Sequence, residues 1–281
     1  MPGRCAAAAL MLAAALSGCA SWFGPGTDSV VPTDVTSDAG AGATPGVAQA
    51  PPGDTIEAFS SLSDLAKSRH WSAWRVHVTK PVTRYRLVDA SGTRVLQADA
   101  DKSASGLAHR LDVDPGARPI LVWRWRVDGL IEGADVGDRH ADDAPVRIVL
   151  AFDGDTSTLP LSEQMFFERV KLLAGHDMPY ATLMYVWDNR HPVESVVKNS
   201  HTSRIRKLVV ASGPRGVKQW NDYRRDIVAD YRKAFGESPG RLIGVSVFTD
   251  TDNTKQRARA QYGDIRLVGR PISEPVAADA R

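Results

Sequence analysis

The feature that most constrains this chain is a two-residue alternation of apolar and polar side chains, broken at short intervals by Gly, Asp, Ser and Pro. Over residues 120–127, Leu121, Trp123, Trp125 and Val127 fall on one side and Arg124 and Arg126 on the other. Over 146–153, Val146, Ile148, Leu150 and Phe152 fall opposite Arg147. Successive side chains of a strand point to opposite faces, so this period predicts strands with one face in a core. Segments 84–88 and 94–98 flank Asp89-Ala90-Ser91-Gly92, a hairpin signal. Further strands are expected at 106–111, 182–187, 205–211, 242–249 and 264–268. Only two segments keep helical spacing. Residues 163–173 carry Phe166, Val170 and Leu173 before Gly175, and 217–235 carry Trp220, Tyr223 or Arg224, Ile227, Tyr231 and Phe235 before Gly236. Many strands and two helices predict a mainly β chain, an antiparallel β-sandwich with two helical insertions.

At 281 residues the chain is long enough for one large core. A formal net charge of +2 argues against a broad nucleic-acid surface, which needs a far more basic domain. Cys5 and Cys19 are the only cysteines. Everything beyond them lacks disulfides and thiolate chemistry, so its stability must come from packing.

The amino terminus reads as an export signal: Arg4, then an apolar run over 6–16, shorter than the roughly 20 residues a membrane-spanning helix needs. It ends in Leu16-Ser17-Gly18-Cys19, which resembles the lipobox of bacterial lipoproteins. That resemblance implies cleavage before Cys19 and lipidation there, with a thioether-linked diacylglycerol and an amide-linked acyl chain of the palmitate class. Each buried methylene adds about 0.8 kcal/mol of membrane affinity. Ala20 and Ser21 follow, with no Asp, which by similarity to enteric sorting implies the outer membrane, facing the periplasm. Residues 1–19 are thus expected to be a lipoprotein signal peptide. Residues 20–53, rich in Gly, Ala, Ser, Thr, Pro and Asp, are expected to be a disordered tether reaching about 30 Å. A single β-sandwich domain is expected over 54–269 and a disordered tail over 270–281.

Several motifs resemble the bacterial family called domain of unknown function 3047. They are Trp123-Arg124-Trp125-Arg126-Val127, Asp142-Asp143 leading into the strand from Arg147 to Asp153, Tyr185-Val186-Trp187, Asp230-Tyr231-Arg232, Thr249-Asp250-Thr251-Asp252-Asn253-Thr254 and Tyr262-Gly263-Asp264-Ile265. The match runs in order over roughly residues 57–269. The family brings no activity with it. More loosely, Trp71 or Trp74, Ser105-Gly106 and the final Tyr-Gly-Asp-Ile-Arg-Leu strand are similar to galactose-binding-like jelly rolls. That resemblance implies a jelly-roll-like sandwich and a glycan or polysaccharide partner, and it transfers no activity.

Asp250, Asp252, Asn253 and Thr254 crowd one turn. Such oxygen density suits a hydrogen-bonded turn, a ligand site or a Ca²⁺ site, for which Asp250, Asp252 and Asn253 are the candidates. The EF-hand pattern fails, because Lys255 stands where its Gly belongs and Gln261 where its Glu belongs. If the strands carrying Arg124 and Arg147 are neighbours, both arginines meet Asp142 and Asp143, as ion pairs or as a polar ligand cleft. Asp138, His140 and Asp142 suggest a metal triad or, since their loop is polar and their spacing is not diagnostic, a solvated loop. Trp123 and Trp125 read as core. Trp187 reads as core or as a sugar-stacking platform before Asp188, Asn189, Arg190 and His191.

No nucleophile elbow, HExxH or P-loop is present. Three functions remain. The first is a non-catalytic glycan-binding module using Arg124, Asp142, Asp143, Arg147, Trp187 and residues 250–254, without a required cofactor. The second is a carbohydrate-active hydrolase pairing Asp143 with Asp250 or Asp252, which demands two carboxyls across an open cleft. The third is an assembly lipoprotein with no small ligand.

Overall fold

The structure, a computed structural model, describes residues 50–75, 79–174 and 177–270. The expected signal peptide with Cys19, all but the end of the tether, and residues 271–281 lie outside the described residues.

Among the described residues, thirteen strands and two α-helices follow one another. The strands are β1 (Trp71–Arg75), β2 (Arg84–Ala90), β3 (Thr93–Asp101), β4 (Ala104–Val113), β5 (Ile120–Val127), β6 (Ala144–Phe152), β7 (Ala181–Asp188) and β8 (Val196–Lys198). After them come β9 (Ile205–Ser212), β10 (Asn221–Asp226), β11 (Leu242–Asp250), β12 (Arg257–Tyr262) and β13 (Arg266–Val268). Helix α1 (Leu161–Ala174) lies between β6 and β7, and α2 (Ile227–Phe235) between β10 and β11.

The strands form two sheets. The larger has the order β1-β4-β11-β6-β7-β9-β8; the smaller runs β10-β5-β12-β3-β2, with β13 also pairing β5. The chain is therefore the mainly β sandwich with two helices that the alternation predicts. One pair departs from the antiparallel rule: β7 and β9 run parallel. A parallel pair needs a long crossover, which residues 189–204 supply, with β8 folded back on β9 within it.

The core forms where the alternation points it. Val146, Ile148, Leu150 and Phe152 of β6 face Leu121, Trp123, Trp125 and Val127 of β5 across the sandwich, all buried. Trp123 stacks on Tyr185 of β7 at 4.9 Å and on Tyr223 of β10 at 5.0 Å. A second apolar layer lies behind the large sheet, where Phe167 and Val170 of α1 pack with Val149, Met184 and Val209. There Gly106 permits a close approach: a Cβ on it would lie 2.4 Å from the Val247 carbonyl oxygen and 2.8 Å from the Trp74 ring. Among the described residues no helix is long and apolar enough to cross a membrane.

The helix expected over 217–235 is half a strand. Residues Asn221–Asp226 pair with β5 along their whole length, and the helix begins only at Ile227. The Asp226 carboxylate caps it, accepting from the amides of Val228 and Ala229, both at 3.0 Å. Trp220, Tyr223 and Ile227 fit a helical period by coincidence, because Tyr223 reaches the core as a strand residue. The stop at Gly236 is as expected, with φ +77° and its amide donating to the Arg232 carbonyl at 2.8 Å.

His109 on β4 is fully buried, stacked on His70 and edge-on to Trp71, each at 5.2 Å. The Glu57 amide donates to its Nε2 at 3.1 Å, so the ring proton sits on Nδ1 and goes to the Arg110 carbonyl at 2.9 Å. Burial holds its pKa down to about 4, against the pull of the Arg110 carbonyl and with help from His70. Because the folded value lies below the ordinary 6.5, the unfolded chain takes up the proton first as the pH falls. The contribution, about 3 kcal/mol, is intact above pH 6.5 and disappears as the pH drops towards 4. A proton-resonance titration of His109 is expected to show a midpoint near 4, with the urea midpoint falling across the same window. A midpoint near 6.5 would contradict the buried neutral ring.

Candidate functional site

At one end of the large sheet β6 begins beside the end of β11, with Asp250 opposite Ala144. Arg147 projects from the outer side of β6 and forks onto Asp250, Nε to Oδ1 at 3.1 Å and Nη2 to Oδ2 at 2.9 Å. The same guanidinium reaches the Asp142 carboxylate at 3.2 Å and its carbonyl at 2.9 Å. Lys207 of β9 donates to the other Asp142 oxygen and, at 2.7 Å, to the Val136 carbonyl. Lys80 pairs with Asp252. Asp143 accepts from the Asn253 amide at 3.2 Å and from the Thr254 amide and hydroxyl, both at 2.7 Å. The Asn253 side chain donates to the Asp142 carbonyl at 3.2 Å. Asp142, Asp143, Arg147, Asp250, Asp252, Asn253 and Thr254 thus converge, as four carboxylates among three cations.

The cluster is closed. Asp143 is 1% exposed, Arg147 3%, and Asp250 and Asp252 5% each. Burial pushes the Asp250 carboxyl up; Arg147 pulls against it, and Asp143 and Asp142 add to the rise. A raised carboxyl is what a general acid needs, but this one faces Arg147 and the Ala144 amide rather than a substrate. Buried, arginine-paired carboxylates do not supply the two open groups of a glycoside hydrolase. Oxygens of Asp143, Asp250 and Asp252 lie within 4.8 Å of one another. A Ca²⁺ ion needs six to eight oxygens, whereas here Asp250 is matched by Arg147, Asp252 by Lys80 and Asp143 by the 253–254 turn.

Two expected members are elsewhere. Arg124 does not join Arg147, because β5 and β6 are in different sheets. Their apolar sides face each other across the core, so their arginines leave the sandwich on opposite sides. Trp187 is fully buried and its indole donates to the Gly213 carbonyl at 3.0 Å, which makes it core and not a stacking platform. Asp138 and His140 sit in an exposed turn closed by the His140 amide on Asp138 at 2.9 Å.

Of two further polar anchors, Lys207 escaped the sequence reading and Asp188 entered it only as a polar neighbour of Trp187. Lys207 sits in an alternating strand and gives no local signal. Asp188 accepts the amides of Val136, Arg190 and His191 at 3.0, 2.7 and 2.6 Å. Burial raises Asp188, yet those amides outweigh it and hold its carboxyl below the usual range. His191 Nδ1 lies 3.1 Å from Asp188 and 3.5 Å from Asp135. The signal available was a polar run directly after an apolar strand.

The outer face of the small sheet is different: it is open. Its inward residues, among them Leu96, Ala98, Trp123, Trp125, Ala260 and Tyr262, are core, so the alternate positions lie on the outer side, where Val95 and Gln97 are buried under their neighbours and Arg86, Arg257, Arg259 and Asp101 reach solvent. Arg84 and Arg86 of β2 lie opposite Asp99 and Gln97 of β3. On β12, Arg257, Arg259 and Gln261 lie opposite Asp101, Asp99 and Gln97. A ladder joins them: Gln97 donates to Asp99 at 2.9 Å, Gln261 to Gln97 at 3.3 Å, and Arg126 to Gln261 at 3.4 Å. Arg86 and Arg259 share Asp99, and Arg257 takes Asp101 at 3.0 Å. Arg124 instead lies over the Trp220 ring, 4.6 Å from its centroid.

Fold and site together define a two-sheet β-sandwich with a sealed ionic cluster on one side and an exposed polar sheet on the other. The chain belongs to the protein family of unknown function DUF3047, whose model matches residues 69–266. No curated protein matches it. Among solved structures it is similar to a carbohydrate-binding module specific for non-crystalline cellulose, at 12% identity and TM-score 0.38 over 79% of this chain and 99% of that one. It is also similar to the xyloglucanase domain of a type three effector from Sinorhizobium fredii, at 8% identity and TM-score 0.37 over 76% and 100%. A xylan-binding domain from Paenibacillus barcinonensis gives 12% identity and TM-score 0.33 over 79% and 99%.

Removing Arg147 leaves the buried Asp250 carboxylate without a cation and Asp142 with Lys207 alone. Arg147→Leu is expected to lower the unfolding free energy by about 3–5 kcal/mol, measured by urea denaturation. Arg147→Lys is expected to restore only part of it, because an ammonium cannot reproduce the fork. An unchanged urea midpoint in Arg147→Leu would mean that the cluster does not hold the sheet end.

Proposed function

We propose that this chain is a non-catalytic glycan-binding module of the bacterial cell envelope, tethered to the outer membrane through lipid on Cys19 and facing the periplasm. The observation that carries the reading is the polar ladder on the outer side of the small sheet, with Gln97 buried at its centre and arginines exposed around it. Guanidinium, carboxylate and amide groups are held there in one plane beside Trp220. Sugar hydroxyls both donate and accept, and such a plane offers both roles. The closed state of Asp143, Asp250 and Asp252 weighs against catalysis. A second reading, an assembly lipoprotein without a small ligand, draws support from Leu161, Met165 and Leu172, large apolar residues exposed on α1.

Two measurements test the proposal. The full chain carrying Cys19→Ala, screened on an array of envelope polysaccharides, is expected to be retained by at least one of them; silence across the array would remove the glycan reading. Labelled palmitate is expected to enter the wild-type chain and not Cys19→Ala. Equal labelling of the two would remove the anchor.

A further inference from the structure

The positive charge on the open sheet is not evenly matched. Toward β2 the arginines have carboxylates: Arg86 and Arg259 hold Asp99, and Arg257 holds Asp101. Toward β10 they do not. Arg224 of β10 and Arg266 of β13 flank Val122 of β5 from its two sides. Arg124 follows two residues along the same strand. At about 4.8 Å between strands, the Arg224 and Arg266 backbones lie about 10 Å apart, with Arg124 about 7 Å further along. Neither Arg224 nor Arg266 makes a side-chain hydrogen bond or ion pair with any described residue. Asp222 stands directly opposite Arg124, yet Arg124 stacks on Trp220 instead of pairing with it.

The place for Arg124 is built into the backbone. The Gly263 amide donates to the Arg124 carbonyl at 2.9 Å. A Cβ at Gly263 would lie 2.6 Å from Arg124 Cγ, so the glycine leaves the channel in which the arginine lies. Stacking on an indole face leaves the guanidinium edge, with its donors, free for a carboxylate, sulfate or phosphate. Three unmatched like charges around one valine oppose folding, and the binding of an anion removes that cost.

We propose that Arg124, Arg224 and Arg266, with Trp220 beside them, bind the acidic substituents of an anionic polysaccharide. The proposal rests on reading this sheet as a glycan surface and adds the charge class of the glycan. Charge complementarity names an anion. The neighbouring Asp99, Asp101, Asp128 and Asp222 and the Gln97–Gln261 pair favour a polymer whose hydroxyls accept and donate between its charges. A nucleic acid presents a dense row of phosphates, which those aspartates repel. A lipid surface calls for flanking apolar groups, and the exposed large apolar side chains among the described residues, Val82, Leu161, Met165, Leu172 and Val193, are not on this sheet.

The test uses the full chain with Cys19→Ala in affinity electrophoresis. Polygalacturonate and dextran sulfate serve as acidic probes, dextran as the neutral one, and phosphatidylglycerol vesicles and duplex DNA as the rival polyanions. Retention by an acidic polysaccharide and not by dextran is expected, weakening as salt rises. Changing Arg124, Arg224 and Arg266 together to Gln is expected to weaken that binding by at least about tenfold, or roughly one charge-assisted contact. Arg224→Gln alone, on an exposed edge strand, provides a smaller loss should the triple variant fold poorly. Arg241→Gln, whose arginine pairs with Asp112 of β4 in the other sheet, is expected to stay within about twofold. Undiminished binding by the Arg variants overturns the proposal. So does tighter binding to vesicles or DNA than to either acidic polysaccharide. Binding to neutral glycans alone also overturns it while leaving the glycan reading standing; no glycan binding at all removes both.

Discussion

The aromatic contact between the two sheets is the interaction on which the other arrangements depend. Trp123 of β5 lies between Tyr185 of the large sheet and Tyr223 of β10, with Trp125 edge-on at 5.6 Å. Aromatic side chains bury large areas and keep definite orientations. Once this face of β5 is turned inward, Arg124 and Arg126 must point outward, and every strand paired with β5 follows the same register. The open Arg, Asp and Gln surface is therefore a consequence of core packing.

The same logic on the opposite sheet gives a different result. β6 turns Val146, Ile148, Leu150 and Phe152 inward, so Arg147 leaves through the back of the large sheet. There it meets Asp142, Asp250 and the segment after β11, not water. An arginine buried on this side has to be matched by carboxylates, and the carboxylates by further cations, which brings in Lys207 and Lys80. The cluster ties the start of β6, the end of β11 and the 251–254 turn into one unit. Dense acidic motifs in the sequence thus mark a structural joint, while the proposed binding surface is made of residues that alternate quietly along the strands of the small sheet.

This division explains which parts of the site were legible. The grouping of Asp142 and Asp143 with residues 250–254 could be suspected, because acidic residues crowd two short segments beside apolar strands. Their meeting point depends on β6 pairing with β11, about a hundred positions apart, and no local pattern encodes that. Arg124 was singled out for the right exposure and the wrong neighbours, since alternation reports the face of a residue and not the sheet it belongs to. Residues 217–226 show the reverse error: Trp220, Tyr223 and Ile227 satisfy a helical period, but the pairing partner β5 imposed a strand as far as Asp226.

Sequence alone specified a mainly β sandwich, its inward residues, a helix over 163–173, which the structure extends to Leu161–Ala174, and the stop at Gly236. These follow from periodicity and backbone preference, which act between residues close in the chain. Only the tertiary structure decided that β5 and β6 face each other from different sheets. It decided too that the acidic cluster is sealed by Arg147, Lys207 and Lys80, and that Arg124, Arg224 and Arg266 share one unmatched surface. Those outcomes depend on pairing between distant strands, where core packing selects one register among many that local propensity would allow.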